Sequence, residues 1–386
     1  MPFLSSRIKN TEATMRHVDA RSRYATLDGL RGAAALLVLV VHFHSFFHLR
    51  PLAHAYLAVD LFFAMSGFVI ASAYDNKLAS GAMNWRQYVL LRLIRLYPLY
   101  FAGLLLGIVA LSIRLPASDA PLIVSALPAN ALMMPTHAAV RTYYPWSGVK
   151  PFIYPLDFPA WSLFFELLAS IAYGLFFRFL TTKALIAVMC ASAIALAVAA
   201  LTVGVDKGPY WETCYVGFAR VGYAFTAGLL LYRFQRPGRR QHNAASIAVV
   251  VLAIGLFAVP WPKSVQSAQW LFELLVALAV VPATVWVASQ VEPGPRLLPF
   301  FAFSGAVSYG IYVLHVPLGF IVQDLAPMTG LLRHPGLVLP PALLLLTWLA
   351  DRYYDTPVRR ALASSTRNWF ATHGASATAA DASVPR

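Results

Sequence analysis

Long apolar runs, separated by short polar and basic segments, make up almost the whole chain. A helix needs about 17 to 25 predominantly apolar residues to cross a bilayer. Runs that approach this length begin near positions 27, 55, 93, 160, 184, 213, 245, 266, 299 and 335. The pattern therefore predicts an all-α, polytopic membrane protein with about ten transmembrane helices.

An eleventh apolar segment, APLIVSALPANALMMP at 120–135, is shorter and is interrupted by Pro128. One more crossing there would invert every later loop. With ten crossings and the N-terminus inside, 22 of the 30 Lys and Arg residues fall on the inner side, seven fall on the outer side, and Arg220 lies within a span. Cytoplasmic loops carry an excess of Lys and Arg, and an eleventh crossing would turn the basic loop at 233–240 outward. We therefore predict ten crossings, both termini in the cytoplasm, and a re-entrant or interfacial segment at 120–135.

Composition agrees with a membrane protein, because 59% of the 386 residues are hydrophobic and only 12% are charged. The pI near 9.9 could suggest a nucleic-acid-binding protein, but the basic residues lie between apolar runs and form no single patch. Cys190 and Cys214 show no disulfide or zinc spacing.

The chain is expected to divide into three parts. A basic cytoplasmic tail at 1–25 lacks the apolar core of a signal peptide. An integral-membrane domain at 26–360 follows, and then an Ala/Ser-rich tail at 361–386 that is expected to be disordered.

Six titratable residues lie within predicted spans at a similar depth: His42, Asp60, Glu166, Arg220, Glu273 and His315. At 1.5 Å per residue, each would lie about 7–11 Å below the outer membrane surface. Any one of them could pair with a neighbour to hold helices together. Ionisable groups inside a membrane usually mark a substrate path or a site, so a layer of six indicates a functional site.

Arg31 and His42 share the first span, eleven residues apart. This spacing is about three helical turns, or roughly 16 Å along the axis, and it returns to nearly the same face. An elongated ligand could bind at Arg31 through a phosphate and reach His42 with its reactive end. A snorkelling arginine and an unrelated core histidine form the alternative.

Arg92 and Arg95 in RLIRLYP stand at i and i+3 and could bind phosphates from one helix face. An anchor at the inner surface would need only their charge. His44 and His48 have the i, i+4 spacing of a metal pair, but they lack a third ligand in a suitable context, so no metal site is predicted.

Five segments occur in series: LDGLRGAAALLVLVVHF, VDLFFAMSGFVI, RLIRLYPLYF, AWSLFFELL and SYGIYVLHVPL. Together they resemble the acyltransferase 3 family, whose members are polytopic membrane proteins that O-acylate bacterial surface polysaccharides, exopolysaccharides and related acceptors. YYDTPVRR at 353–360 resembles the closing motif of the family, which usually has Glu before the Pro; here Asp355 takes that place and Thr356 is inserted. Some relatives carry a C-terminal esterase-like domain, and this chain resembles the stand-alone form.

The resemblance implies functions for residues at the motif positions, which here are Arg31, His42, Arg92, Arg95 and Glu166. Arg92 and Arg95 form the RxxR motif of the family, on the side of the membrane from which acyl-CoA would arrive. Glu166 is the acidic residue of the WSLxxE motif. Leu167 occupies the position where many members have a second acidic or polar residue, which puts a Glu pair in doubt. Arg220, with Phe225 and Gly228, resembles the arginine-bearing span of many members.

Acyl transfer from a thioester to a hydroxyl needs a base for the hydroxyl proton, and histidine suits this task near neutral pH. We expect His42 to be that base, oriented by Glu166 or Asp60. The phosphates of coenzyme A would be bound from the cytoplasmic side by Arg31, Arg92 and Arg95. A covalent acyl-enzyme on Ser66 or Ser308 stays open, although neither serine lies in a nucleophile elbow.

The predicted function is therefore a membrane O-acyltransferase of the bacterial inner membrane. It would move an acyl group, most simply acetyl, from acyl-CoA to a hydroxyl of a carbohydrate, such as a cell-surface polysaccharide or a lipid-linked glycan. Acyl-CoA is a substrate here, and no tightly bound cofactor is expected. Acylation of a lipid or of a small secondary metabolite is an alternative. A transporter or flippase of a glycan or lipid intermediate belongs to a different class; it would consume no acyl-CoA, and the internal repeats common in transporters are not seen in the sequence.

Overall fold

The computed structural model describes residues 24–50, 52, 54–137, 152–235, 238–329 and 334–366. Most of the two predicted tails, 1–25 and 361–386, lies outside the described residues. At the C-terminal end, the backbone is helical over 356–366. A segment without regular structure therefore does not begin at 361.

Nearly all of the regular structure is helical, which confirms the all-α prediction. The helices are α1 (Ala25–His42), α2 (Ala58–Ala79), α3 (Trp85–Arg114), α4 (Ala120–Ala131), α5 (Ala160–Phe176), α6 (Thr182–Thr202), α7 (Cys214–Arg233), α8 (Asn243–Phe257), α9 (Gln269–Leu275), α10 (Val281–Gln290), α11 (Leu298–Thr329), α12 (Pro335–Ala350) and α13 (356–366). A π-helical turn joins α9 to α10, and another joins α12 to α13. Two short parallel strands, β1 (Arg240–Gln241) and β2 (Val291–Glu292), pair with each other.

Within the described residues, eight helical segments are long and apolar enough to cross a membrane, as expected of a multi-pass membrane protein. They coincide with eight of the ten predicted spans. The other two predicted spans correspond to α8 and α12, which have 15 and 16 residues, just below the about 17 residues of a short span. Ten crossings thus stays a prediction. The 12 residues of α4 would extend only about 18 Å, so 120–135 does not form a full spanning helix.

Helix α3 begins eight residues before the predicted span start at 93, because a capping box fixes its N-terminus. The side chain of Asn84 accepts from the backbone N–H of Gln87 at 2.9 Å, and the side chain of Gln87 accepts from the backbone N–H of Asn84 at 3.0 Å. This reciprocal pair satisfies two N–H groups that would otherwise have no partner. Arg92 and Arg95 consequently lie in regular helix.

Two helix pairs form the centre of the bundle: α1 packs along α11, and α2 packs along α7. Glycines allow the second pair to approach to backbone contact. A Cβ added at Gly67 of α2 would overlap the carbonyl of Phe225, and a Cβ added at Gly228 of α7 would overlap the carbonyl of Ala64. Small residues are the usual means by which membrane helices approach this closely.

Candidate active site

Five helices (α1, α2, α3, α5 and α11) enclose a cavity of about 230 Å³. Its basic lining residues are Arg31, Arg92 and Arg95, and we call it the arginine cavity. Glu166 and Ser66 also line it. The structure thus brings together the three arginines that the sequence suggested as phosphate ligands, although they come from two helices.

Arg92 is anchored to α5 by two contacts. Its Nε donates to the hydroxyl of Ser170 at 3.1 Å, and its Nη2 lies 3.4 Å from Oε1 of Glu166. The same Oε1 accepts from the hydroxyl of Ser66 at 2.6 Å. Glu166 therefore joins α2, α3 and α5 at the wall of the arginine cavity. Ser308, the other serine considered for an acyl-enzyme, donates to the carbonyl of Gly305.

The other two arginines retain unsatisfied hydrogen-bonding capacity. Within the described residues Arg95 makes no side-chain hydrogen bond; its guanidinium lies 5.9 Å from the ring centre of Tyr309. Arg31 pairs with Asp28, but its buried Nε has no hydrogen-bond partner among the described residues. Arg95 is exposed, whereas the buried Nε of Arg31 is a donor whose missing partner costs about 1–3 kcal/mol. An anionic ligand would satisfy both arginines with charge-assisted hydrogen bonds.

His42 lies at the other end of α1, where it contacts His315 of α11. Nδ1 of His42 and Nε2 of His315 are 2.9 Å apart. Nδ1 of His315 lies 2.8 Å from the carbonyl of Tyr312 and 3.1 Å from that of Ile311. Because carbonyls only accept, Nδ1 of His315 carries its proton and Nε2 is the acceptor. In a pair of neutral rings His42 then donates from Nδ1 and carries its lone pair on Nε2.

Tyr312 links the histidine pair to the arginine cavity. It lines the cavity, its ring centre lies 6.1 Å from that of His315, and its hydroxyl is 2.5 Å from that of Ser162. His42 and His315 are not among the described residues that line the cavity. A group entering from the arginine cavity would meet Tyr312 and Ser162 before it reached the histidines.

Asp60 has a different role from the one expected. It forms a bidentate ion pair with Arg220, with contacts of 3.0 and 2.6 Å, and both side chains are 2% exposed. Arg220 also donates to the carbonyls of Lys207 and Tyr56. Since Asp60 is fully engaged in joining α2 to α7, and Glu166 bonds to Ser66 and Arg92, neither carboxylate orients His42 in this structure. His315 is instead the residue that contacts Nδ1 of His42.

Glu273, the remaining member of the polar layer, pairs with a histidine that the sequence reasoning did not single out. His54 is fully buried, and its Nδ1 lies 3.1 Å from Oε1 of Glu273. Gln269 donates to the same oxygen at 2.8 Å. His54 was missed because it precedes the second predicted span, and only residues inside spans were compared by depth.

Several hydroxyl groups were missed as well, although a signal was present. Ser162 and Ser170 stand four residues before and four residues after Glu166, which places all three on one face of α5. That face lines the arginine cavity and contacts Arg92. The hydroxyl groups of Tyr309 and Tyr312 lie in an apolar run from which the sequence analysis considered only Ser308 and His315.

A family model described as an acyltransferase domain, that of acyltransferase 3, matches residues 24–350. The chain belongs to the acyltransferase 3 family. The match includes every residue of the arginine cavity and the histidine pair of this acyltransferase.

The acyltransferase is also similar to the protein named "Protein 2 in picA locus" from Rhizobium radiobacter. The two are 36% identical over 190 residues, which is 46% of this chain and 95% of that protein. No solved structure matches the acyltransferase. Its Asp355 and Arg359 lie beyond the residues that the family model matches.

Proposed function

We propose that this membrane acyltransferase moves an acyl group, most simply acetyl, from acyl-CoA on the cytoplasmic side to a hydroxyl of a carbohydrate acceptor, such as a cell-surface polysaccharide. The observation that carries the proposal is the arrangement along α1. Arg31 lines the arginine cavity, and His42 lies about 16 Å further along the same helix, paired with His315. A donor with a phosphate-bearing end and a long flexible arm matches that arrangement.

The donor's phosphates would bind Arg31, Arg92 and Arg95, because guanidinium groups bind phosphate oxygens in a planar, bidentate manner. The excess of Lys and Arg on the predicted inner side supports a cytoplasmic location for this end of the molecule and for both termini. In this proposal the protein lies in the bacterial inner membrane, and acyl-CoA is a substrate that binds and leaves.

His42 acts as the general base. The acceptor's hydroxyl oxygen attacks the thioester carbonyl carbon while its proton passes to Nε2 of His42. The tetrahedral intermediate then breaks its C–S bond, and the departing thiolate of coenzyme A takes the proton from His42. The products are an ester and free coenzyme A. His315 accepts from Nδ1 of His42 and so holds the required tautomer, as an acidic partner does in a hydrolytic triad.

The carbohydrate acceptor in this proposal follows from the acceptors of the acyltransferase 3 family. We would measure ester content in envelope glycans by mass spectrometry, before and after mild base, in cells that lack the gene, carry it, or carry His42→Ala. Base-labile acyl groups that appear only with the intact protein support the proposal, and their mass identifies the acyl group.

His44→Ala is a matched control, because His44 is a neighbouring histidine that contacts the carbonyl of Leu49. It should leave the ester content unchanged. If no glycan differs while the protein is present in the membrane, the carbohydrate acceptor is wrong. Lipid extracts and secreted metabolites from the same cells would then be examined. If purified protein consumes no acyl-CoA with any of these acceptors, acyl-CoA is not the acyl donor.

A further inference from the structure

A second cavity, of about 310 Å³, adjoins the arginine cavity. Val69, Ile70, Arg92 and Arg95 line both. The second cavity is also lined by Arg359 of α13, and we call it the vestibule. The vestibule therefore adds a fourth arginine to the group that the arginine cavity contains, from a part of the chain beyond the family match.

Arg359 is held in place on one side and has an unsatisfied donor on the other. Its Nη2 lies 2.7 Å from Oδ2 of Asp355 and 3.2 Å from Oδ1 of Asp351. Its Nε is buried and has no hydrogen-bond partner among the described residues. The side chain is 20% exposed, so it does not extend into solvent as a simple surface anchor would. A guanidinium in this state can still bind an anion.

Asp355 is the acidic residue that contacts Arg359 at the vestibule. It forms the ion pair with Arg359, and it is the carboxylate whose charge acts on Arg95. It is 2% exposed. Asp355 therefore positions Arg359 at the vestibule, whereas it acts on Arg95 through its charge alone.

The vestibule retains an excess of positive charge. Arg92 contacts Glu166 and Arg359 contacts Asp355, whereas Arg95 has no hydrogen-bonded acid within the described residues. Three guanidinium groups around one cavity repel each other unless an anion lies between them. The strongest complement to such a site is a phosphate group, which accepts several hydrogen bonds at once.

We propose that Arg359 and Arg95 together bind a phosphate group of the acyl-CoA donor in the vestibule, with the acyl-bearing arm directed into the arginine cavity. This inference rests on the proposed function for the identity of the donor. Arg359 is a donor-binding residue, and Asp355 is a positioning residue.

The test is equilibrium binding of coenzyme A to the full-length protein, purified in uncharged detergent and measured by calorimetry. Arg359→Gln should weaken binding about tenfold or more, as expected for loss of a charged hydrogen bond. Arg360→Gln is the matched control. It removes the same charge from the next residue of the same helix, where the side chain is exposed, and should change the affinity less than about threefold. Arg359→Lys keeps the positive charge but lacks the paired N–H donors of a guanidinium group, so its affinity for coenzyme A should lie between those of the two Gln variants.

Thermal unfolding in the same detergent separates a binding effect from misfolding. Arg359→Gln leaves the buried Asp355 carboxylate without its ion pair and should unfold at a lower temperature than Arg360→Gln, so binding is measured at a temperature at which both variants are fully folded. Equal affinity of these two variants for coenzyme A overturns the inference and leaves the proposed function standing. Failure of the unaltered protein to bind coenzyme A overturns the proposed function and the inference with it.

A lipid headgroup carries a phosphate that could bind the same arginines. If Arg359→Gln loses bound anionic lipid in native mass spectrometry but keeps its affinity for coenzyme A, the phosphate belongs to a lipid and the inference is wrong.

Discussion

The hydrogen bond between the two histidines gives a quantitative prediction about catalysis. Nδ1 of His42 donates to Nε2 of His315, whose other nitrogen is fixed by backbone carbonyls. Replacing His315 by Leu removes this acceptor and keeps a side chain of similar bulk. Replacing it by Gln supplies an amide oxygen that can accept the same proton.

The expected magnitudes differ between the variants. Loss of general-base catalysis in His42→Ala should lower kcat about 10²- to 10⁴-fold. Removing the acceptor for a buried N–H costs about 1–3 kcal/mol, so His315→Leu should lower kcat about 5- to 150-fold. His315→Gln should retain more activity than His315→Leu. The KM for acyl-CoA should change little in all three, because the arginines that would bind its phosphates lie elsewhere.

The assay is the initial rate of coenzyme A thiol release by purified protein, at saturating acceptor and varied acyl-CoA. Equal amounts of detergent-solubilised variant protein with similar unfolding temperatures serve as the control. A His315→Leu variant with unaltered kcat would refute the reasoning, since the tautomer of His42 would then need no support from His315. A rise in KM at constant kcat would also refute it, because His315 would then act in binding.

Two further predictions concern stability, both measured as unfolding in detergent. Asp60→Leu leaves Arg220 buried without its carboxylate and should cost about 3–5 kcal/mol, whereas the Asp60→Leu/Arg220→Met double variant should recover much of that loss; a double variant as unstable as the single one contradicts this. In the segment before α5, burial raises the pKa of the Asp157 carboxyl well above its ordinary range, and neither of its oxygens has a hydrogen-bond partner among the described residues. Since the pKa is higher in the folded state, this group favours folding most below about pH 4, and that contribution is lost as the pH rises through the folded pKa. Asp157→Asn should therefore stabilise the protein at pH 7 to 8 and flatten the pH dependence of unfolding; a variant that is less stable at every pH would show that the carboxyl has a partner.

The sequence sufficed to predict most of the helices and the common face of Arg92 and Arg95, for physical reasons that can be named. A run of apolar residues fixes the length and depth of a membrane helix, and the i, i+3 spacing of Arg92 and Arg95 fixes their common face. The membership in the acyltransferase 3 family was also predicted correctly from five motifs. The helix lengths and the shared arginine face each depend on one helix at a time.

The hydrogen-bond partners of the polar residues could not be predicted from hydropathy and helical spacing. Depth along the membrane normal placed His42, Asp60 and Glu166 at one level, but their contacts depend on how the helices are arranged in the plane of the membrane. In the structure α1 lies along α11 and α2 lies along α7, so His42 meets His315 and Asp60 meets its arginine. The hydropathy pattern contains no information on this lateral order.

The close approach of α2 and α7 limits how the arginine cavity can adapt. Gly67 touches the backbone of α7, while the preceding residue, Ser66, lines the cavity and bonds to Glu166. A shift of α2 toward α7 would drive backbone into backbone, and a shift away would separate the buried Asp60–Arg220 pair. The Ser66 wall is consequently a fixed reference surface. Room for a different donor arm would then have to come from the side chains that α1, α3, α5 and α11 contribute to the cavity.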